Sequence, residues 1–337
     1  MSIRYTIKTE HDDPLLPRFE EAMSFGPGFR QMDVPASVGL GRLTALEIDA
    51  EFHVNFQFYR LGVPMEVTRG WDGDAGNFVI LAFYDLALPQ KAWTWIRGNE
   101  VVYDQQGVNI GTGTTNLTML FPVNIERNVV CIRITRKRLE SILGDQHREY
   151  LHELLQGEGQ FFLHEPLSPA MRGIMHQLKQ PELKQPKGAG GLQQLCYHIR
   201  TLELLYLVLE QLNKRTGAPL KTTDPVHIAQ IFQAKSLLVR DLSEPPTIAV
   251  LASAVLMSES QLKQSFREIF GVSIYQYFQQ ERLERAKQLL SDNSRTVKDV
   301  GYELGFTNIG HFSRLFERLY HVKPKKFQLD RRRMPEE

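Results

Sequence analysis

Between Thr247 and Gln328 the chain repeats one pattern, and any fold it adopts must accommodate the duplication. The first copy reads TIAVLASAVLMSESQLKQSFREIFGVS and the second TVKDVGYELGFTNIGHFSRLFERLYHVKP. In the first, Ile248, Leu251 and Met257 precede Leu262, Phe266, Gly271 and Val272; in the second, Val297, Val300 and Phe306 precede Phe312, Phe316, His321 and Val322. The offsets agree except for one extra residue in the second turn. A period near ~50 residues in units this short points to duplicated supersecondary modules.

Each copy reads as two short helices on a tight joint. Thr247 caps a helix ending near Val255, and Ser258 caps the next, with Gln261 at the capping-box position. Leu262, Phe266 and Ile269 turn inward, which leaves Ser260, Lys263, Gln264 and Arg267 outward, the hydrogen-bonding inventory that reads base edges in a major groove. In the second copy Thr296 and Asp299 form the capping pair, Gly305 reverses the chain and Asn308 starts the second helix. Phe312, Leu315, Phe316 and Leu319 face in, His311 and Arg314 face out, and Gly310 leaves room for close approach. One such hairpin is weak evidence. Two at constant offset, joined by the helix SIYQYFQQERLERAKQLL, would set two recognition helices about 34 Å apart in successive grooves of double-stranded DNA. In the joining helix Phe278, Leu283, Ala286 and Leu290 form the inner face, with Arg282, Arg285 and Lys287 off it.

On LASAVLMSESQLKQSF, GVSIYQYFQQERLERAKQLL and VKDVGYELGFTNIGHFSRLFERLYHVKPKKF, the segment from about Asp224 to Gln328 resembles the DNA-binding domain of the AraC/XylS family of bacterial transcription regulators. The resemblance implies seven helices, a recognition helix in each half, and activation or repression at promoters, with RNA polymerase as a partner. By position, its base-facing residues fall on Ser260, Lys263 and Gln264 in the first half and on Gly310, His311 and Arg314 in the second. The chain departs from the family pattern at Leu256 and His321 (usually glycine), Gly301 (usually alanine), Gly310 (usually serine or similar) and Gln328 (usually arginine). A leucine at position 256 is costly if the turn needs positive φ. Gly310 and His311 make the first half the better reader and the second mainly a positioning element.

A chain of 337 residues exceeds what one core usually organises. The reading is an α+β multidomain protein with three parts. Residues 1–145 form a β-rich regulatory domain, a barrel or sandwich. Residues 146–221 form a helical connector, and 222–330 an all-α DNA-binding domain with helix-turn-helix motifs at about 247–270 and 296–320. In FHVNFQFYRL, Phe52, Val54, Phe56 and Phe58 alternate with His53, Asn55, Gln57 and Tyr59, a strand with one buried face. NFVILAFYDL, AWTWIRG, EVVYDQQ, NLTMLFP and VVCIRIT follow, punctuated by WDGDAGN, RGNE and GTGTTN. GVNIGTGTTN suits a hairpin turn, and RKRLESIL opens a helix. In the connector, the helix at 191–214 carries Leu192, Leu195, Ile199, Leu202, Tyr206, Leu209 and Leu212 at three-four spacing. This seam either packs on the protein's own barrel or meets the same helix in a second subunit, a homodimer. Asp224-Pro225 caps and opens a further helix.

Function classes narrow by exclusion. Cys131 and Cys196 are far apart, which argues against a disulfide framework and fits a reducing cytosol. The N-terminus lacks a signal-peptide core and no stretch reads as a membrane span, so the expected location is cytoplasmic. From Lys221 onward 18 Lys+Arg face 14 Asp+Glu, a mildly basic part against a mildly acidic remainder. Lys323, Lys325, Lys326 and the run Arg331 to Arg333 read as a solvated basic tail. Family resemblance implies a cupin-like barrel for the N-terminal domain. Cupin-type metal enzymes need a His-x-His pair, whereas only His11 and His53 precede His147; no catalytic residues, metal ligands or cofactor are assigned. A small-molecule effector remains the expectation, with Phe52, Phe56, Phe58, Tyr59, Phe83, Tyr84, Trp93 and Trp95 as pocket candidates and Arg60, Arg69 and Arg97 as rim candidates. The alternatives are a regulator controlled by protein contacts and, more remotely, a β-barrel enzyme fused to a DNA-binding domain.

Overall fold

The structure is a computed structural model. It describes residues 3–8, 28–63, 65–71, 77–86, 95–97, 100–102, 106–112, 117–121, 123–124, 126–144, 151, 155, 161–179, 190–215, 225–291 and 295–333. The chain divides into two compact units, residues 1–232 with 268–271, and residues 233–267 with 272–337.

The first unit is built on antiparallel strands. β1 (Ile3–Lys8), β5 (Met65–Trp71) and β10 (Leu117–Phe121) form a three-stranded sheet ordered β1-β5-β10. β7 (Trp95–Arg97) pairs with β8 (Glu100–Val102). The large sheet contains β2 (Phe29–Asp33), β3 (Gly39–Asp49), β4 (Phe52–Leu61), β6 (Phe78–Leu86), β9 (Gly107–Thr112), β11 (Glu126–Thr135) and β12 (Phe162–Glu165), ordered β12-β9-β6-β11-β4-β3-β2. GVNIGT is therefore strand β9, not part of a turn. Its glycines serve close approach: a Cβ on Gly107 would lie 2.5 Å from the His164 ring, and one on Gly111 2.8 Å from the Phe161 carbonyl.

Register puts Phe52, Val54 and Phe56 of β4 opposite Ile134, Ile132 and Val130 of β11, which in turn face Val79, Leu81 and Phe83 of β6. This face is the core, and three helices contribute to it: α1 (Arg136–Leu143) through Leu139, α2 (Pro169–Lys179) through Met171, Ile174, Met175 and Leu178, and α3 (Gly190–Leu212) through Tyr197, Leu204, Leu205, Val208, Leu209 and Leu212. The Thr135 side chain caps α1 by accepting from the Arg138 N–H. The buried Glu165 carboxylate of β12 pairs with Arg215 just beyond α3, and burial still pushes that carboxyl above the ordinary range. The α3 seam splits. Leu209 and Leu212 join the core, whereas Leu192, Leu195, Ile199, Leu202 and Tyr206 are 41–65 % exposed.

The second unit is helical. α4 (Pro225–Val239), with proline in its first turn, spans the division between the units. α5 (Ile248–Ala254), α6 (Glu259–Phe270), α7 (Ile274–Ser291), α8 (Val297–Glu303), α9 (Ile309–Tyr320) and α10 (Pro324–Arg333) follow. Leu283, Ala286, Leu289 and Leu290 of α7 pack with Val300, Leu304, Phe306, Phe312 and Phe316. Arg282, expected off the inner face of α7, is 7 % exposed. Its Nε donates to the Leu304 carbonyl at 2.7 Å and its Nη2 to the same oxygen, while the guanidinium lies 4.1 Å over the Phe306 ring. A carbonyl orphaned at the end of α8 is thereby satisfied, and two aromatic faces replace water around the charge.

Arg282→Ala should lose about 2–4 kcal/mol, since it leaves a buried carbonyl unpaired and a gap between rings. Arg282→Lys, which keeps the charge but not the planar fork, should recover less than half of that in urea unfolding. A loss under ~1 kcal/mol would mean that water substitutes for the guanidinium.

Candidate nucleic-acid interface

The two helix pairs share one backbone design. Thr247 Oγ1 accepts from the Val250 N–H at 3.3 Å, and Thr296 forms a full capping box with Asp299. Those hydrogen bonds from Thr296 hold the Asp299 carboxyl below its ordinary pKa. At the first turn Leu256 has φ 56° and Met257 donates its N–H to Ala252 O at 3.0 Å. At the second, Gly305 has φ 74° and Phe306 donates to Gly301 O at 2.9 Å. The extra residue of the second copy falls after this matched turn. Ser258 then accepts from the Gln261 N–H to start α6, and Asn308 from the His311 N–H to start α9.

Shared geometry does not mean shared surroundings. The Leu256 side chain is 88 % exposed, so its turn carries only the left-handed strain of an L-residue. A Cβ at Gly305 would lie 2.0 Å from the Ser243 carbonyl and 2.7 Å from Arg282 Nη2. His321 ends α9 in the left-handed region at φ 57°, donating to the Glu317 carbonyl at 2.8 Å. Gly301 likewise fits its site, since a Cβ there would meet Ile309 Cδ1 at 2.6 Å.

All seven residues singled out in the sequence are exposed. Ser260, Lys263, Gln264 and Arg267 lie along α6, whose opposite side buries Leu262, Phe266 and Ile269. Lys263 makes an exposed pair with Glu259 at 3.3 Å, an interaction weak enough to exchange for another anion. Gly310, His311 and Arg314 lie along α9, over buried Phe312 and Phe316. Leu319 departs from expectation: it is 40 % exposed because α9 buries only a narrow stripe. Tyr320 ties α9 to α7, donating to Glu284 Oε2 at 2.7 Å under the Lys287 ammonium.

The first unit holds a second candidate surface. Behind the core face, register aligns His53, Asn55, Gln57 and Tyr59 of β4 with Arg133, Cys131, Val129 and Arg127 of β11. All eight are buried, Asn55 completely. Alternation in β4 implies one buried face, but both faces are buried, and of the aromatic pocket candidates Phe52, Phe56 and Phe83 belong to the core cluster. The missed signal was residue type, because amides and an imidazole, not lysine and glutamate, occupy the alternate positions. Burial lowers the His53 pKa, with Arg133 adding to the effect. Arg60 is exposed, while Trp93 and the side chains of Trp95, Arg69 and Arg97 lie outside the described residues. Among the described residues no group of three or more His, Cys, Asp or Glu is placed to hold a metal ion, and no helix is long and apolar enough to cross a membrane.

In comparison with known proteins, residues 251–330 match a family model described as a helix-turn-helix domain, and residues 94–223 match one described as the N-terminal domain of the regulatory protein PchR. The chain is 30 % identical over 129 residues to the HTH-type transcriptional regulator ArgR of Pseudomonas aeruginosa, covering 37 % of this chain and 39 % of ArgR. It is 40 % identical over 70 residues to the regulatory protein PchR of the same organism, covering 21 % of this chain and 24 % of PchR. The chain thus spans less than half the length of either relative. A DNA-binding transcriptional dual regulator from Escherichia coli K-12 aligns at 26 % identity over 31 % of this chain and 94 % of its own, with a TM-score of 0.29.

The two turns should respond oppositely to substitution. Leu256→Gly should be neutral or stabilise by up to ~1 kcal/mol, because it relieves left-handed strain at the expense of chain entropy. Gly305→Ala should destabilise by more than about 2 kcal/mol, since strain adds to collision with a backbone carbonyl. Urea midpoints of the two variants check the contrast.

Proposed function

We propose, from the premise that residues 251–330 form an AraC-type helix-turn-helix domain, that the chain is a sequence-specific transcription regulator gated by a small molecule in its N-terminal unit. The observation that carries the reading is the pair of helix-turn-helix motifs with matched turns, joined by an α7 of 18 residues. Such a helix is about 27 Å long, commensurate with one turn of B-DNA between two occupied major grooves. On this reading Ser260, Lys263, Gln264 and Arg267 of α6 read bases, while Gly310, His311 and Arg314 of α9 contribute close approach and fewer contacts. RNA polymerase is the partner through which occupancy becomes transcription, and the chain carries no catalytic site of its own.

Two features of the first unit support gating and assembly. The paired strands β4 and β11 bury a row of amides, imidazole and guanidinia, side chains of the chemistry that recognises a polar effector. The exposed stripe of α3 has the three-four spacing of a two-stranded seam, and the same stripe in a second copy matches it. Each of its five side chains stands to gain on the order of 1 kcal/mol on full burial. An effector that binds one arrangement of the regulator better than another shifts the population able to occupy DNA.

Lys263→Ala and Arg314→Ala should each weaken binding to a duplex selected by the wild type by about 1–3 kcal/mol, with little loss on random DNA, in anisotropy titrations at fixed salt. Equal loss on both duplexes would assign these residues to phosphates.

Native mass spectrometry of the full chain tests gating and assembly together. The wild type should read as a dimer retaining a small molecule, Ile199→Glu as a monomer, and Asn55→Leu as a dimer that has lost the small molecule. A monomeric wild type contradicts the α3 interface. Absence of any retained species after incubation with cell extract contradicts gating and leaves control by protein contacts.

A further inference from the structure

The second unit holds a groove of about 450 Å³ between the first half of α7 and the recognition helix α9. Leu283 and Leu315 line it together with Val272, which follows the turn after α6. Gln276, Gln279 and Gln280 line it from α7; His311 and Arg318 line it from α9. Tyr275 and Leu319, 65 % and 40 % exposed, also line it.

Three observations bear on what the groove receives. The first is position: His311 belongs both to the groove and to the outward face of α9 that carries Gly310 and Arg314, so a duplex seated on that face runs past the groove. Its other wall begins where α6 ends, which places it on the path between the two recognition helices. The second is charge. The lining holds a guanidinium and an imidazole but no carboxylate, although Glu281 and Glu284 are neighbours on α7. The third is chemistry. Glutamine amides, a tyrosine hydroxyl and arginine are donors that contact phosphate oxygens, and the apolar faces of Tyr275 and Leu319 suit deoxyribose.

We propose that this groove seats the sugar-phosphate backbone between the two major grooves that α6 and α9 enter, with Arg318 and Gln280 as phosphate contacts. The inference rests on the DNA-binding reading above and adds a sequence-independent contact to it. Two recognition helices on successive turns of one DNA face leave between them a minor groove and the two backbones that border it, of which the one beside α9 is the one this groove meets. A surface of donors there fixes the spacing of the two half-sites without reading either.

The test uses the full chain and a duplex recovered by selection from a random pool with the wild type. Arg318→Gln removes the cation, and Gln280→Glu places a carboxylate in the groove; both sites are exposed, and unchanged urea midpoints establish that the fold is intact. Arg318→Gln should lower the slope of log K against log salt by about one and weaken binding equally on selected and random duplexes. Gln280→Glu should weaken binding on both, most strongly at low salt. Wild-type affinity and salt slope in both variants would overturn the inference while leaving the DNA-binding reading intact, and would leave the groove to a different occupant. A loss confined to the selected duplex would also overturn it, because it would make Arg318 a base reader. Failure of the wild type to select any duplex would remove the reading itself and the inference with it.

Discussion

The second helix-turn-helix hangs on one interaction, the Arg282 guanidinium held against the Leu304 carbonyl. A charge in so dry a place is tolerated only where its donors are used and its faces are covered. Leu304 O takes two of the donors, and the Phe306 and Phe278 rings lie 4.1 and 5.1 Å from the guanidinium carbon. Because Arg282 belongs to the joining helix and Leu304 ends α8, the contact fixes the second turn against α7. That turn in turn aims α9. Gly305 is part of the same device, since the Ser243 carbonyl and the guanidinium together fill the space a Cβ would need. The Tyr320–Glu284 hydrogen bond then pins the far end of α9 to the same helix.

The first motif uses the same left-handed turn with nothing packed over it. Leucine at position 256 carries the strain openly, and the turn's hydrogen bonds to Ala252 and Ser253 hold it. Departures from the family pattern therefore have separate physical meanings. Leu256 and His321 stand where the side chain is exposed, and an alanine at Gly301 would require the tip of the Ile309 side chain to shift. Gln328 is largely buried and donates to the Arg295 carbonyl at 2.7 Å, so it ties α10 to the segment that precedes α8.

Much of this was legible in the sequence because it is local. Threonine and asparagine caps and the capping pair Thr296–Asp299 act within a few residues and appear where the pattern puts them, and in α9 the three-four spacing places Phe312 and Phe316 inside though not Leu319. What depends on a distant partner was not. Arginine at position 282 reads as a surface residue until Leu304, twenty-two positions on, is known to need a donor. The α3 seam reads as one stripe, yet it divides: Tyr197, Leu204, Leu205, Val208, Leu209 and Leu212 belong to the core and Leu207 packs partly against it, while the other seam residues stay exposed. Strands such as β3 and β9 were missed because glycines that admit a close neighbour look like glycines that make turns.

Alternation in β4 misled for a different reason, and that reason bears on function. Period two reports which residues share a face but not whether the face is wet. His53, Asn55 and Gln57 are buried on a face where valine and isoleucine would pack at lower desolvation cost. On the proposed reading this face is where the polar groups of a ligand are recognised. A ligand at one hundred times its dissociation constant returns roughly 2.7 kcal/mol to the state that binds it, enough to shift a conformational equilibrium about a hundredfold. Linkage then makes the factor by which the effector changes the affinity for DNA equal to the factor by which DNA changes the affinity for the effector, so the two sites are coupled through whatever difference the two arrangements present to each ligand.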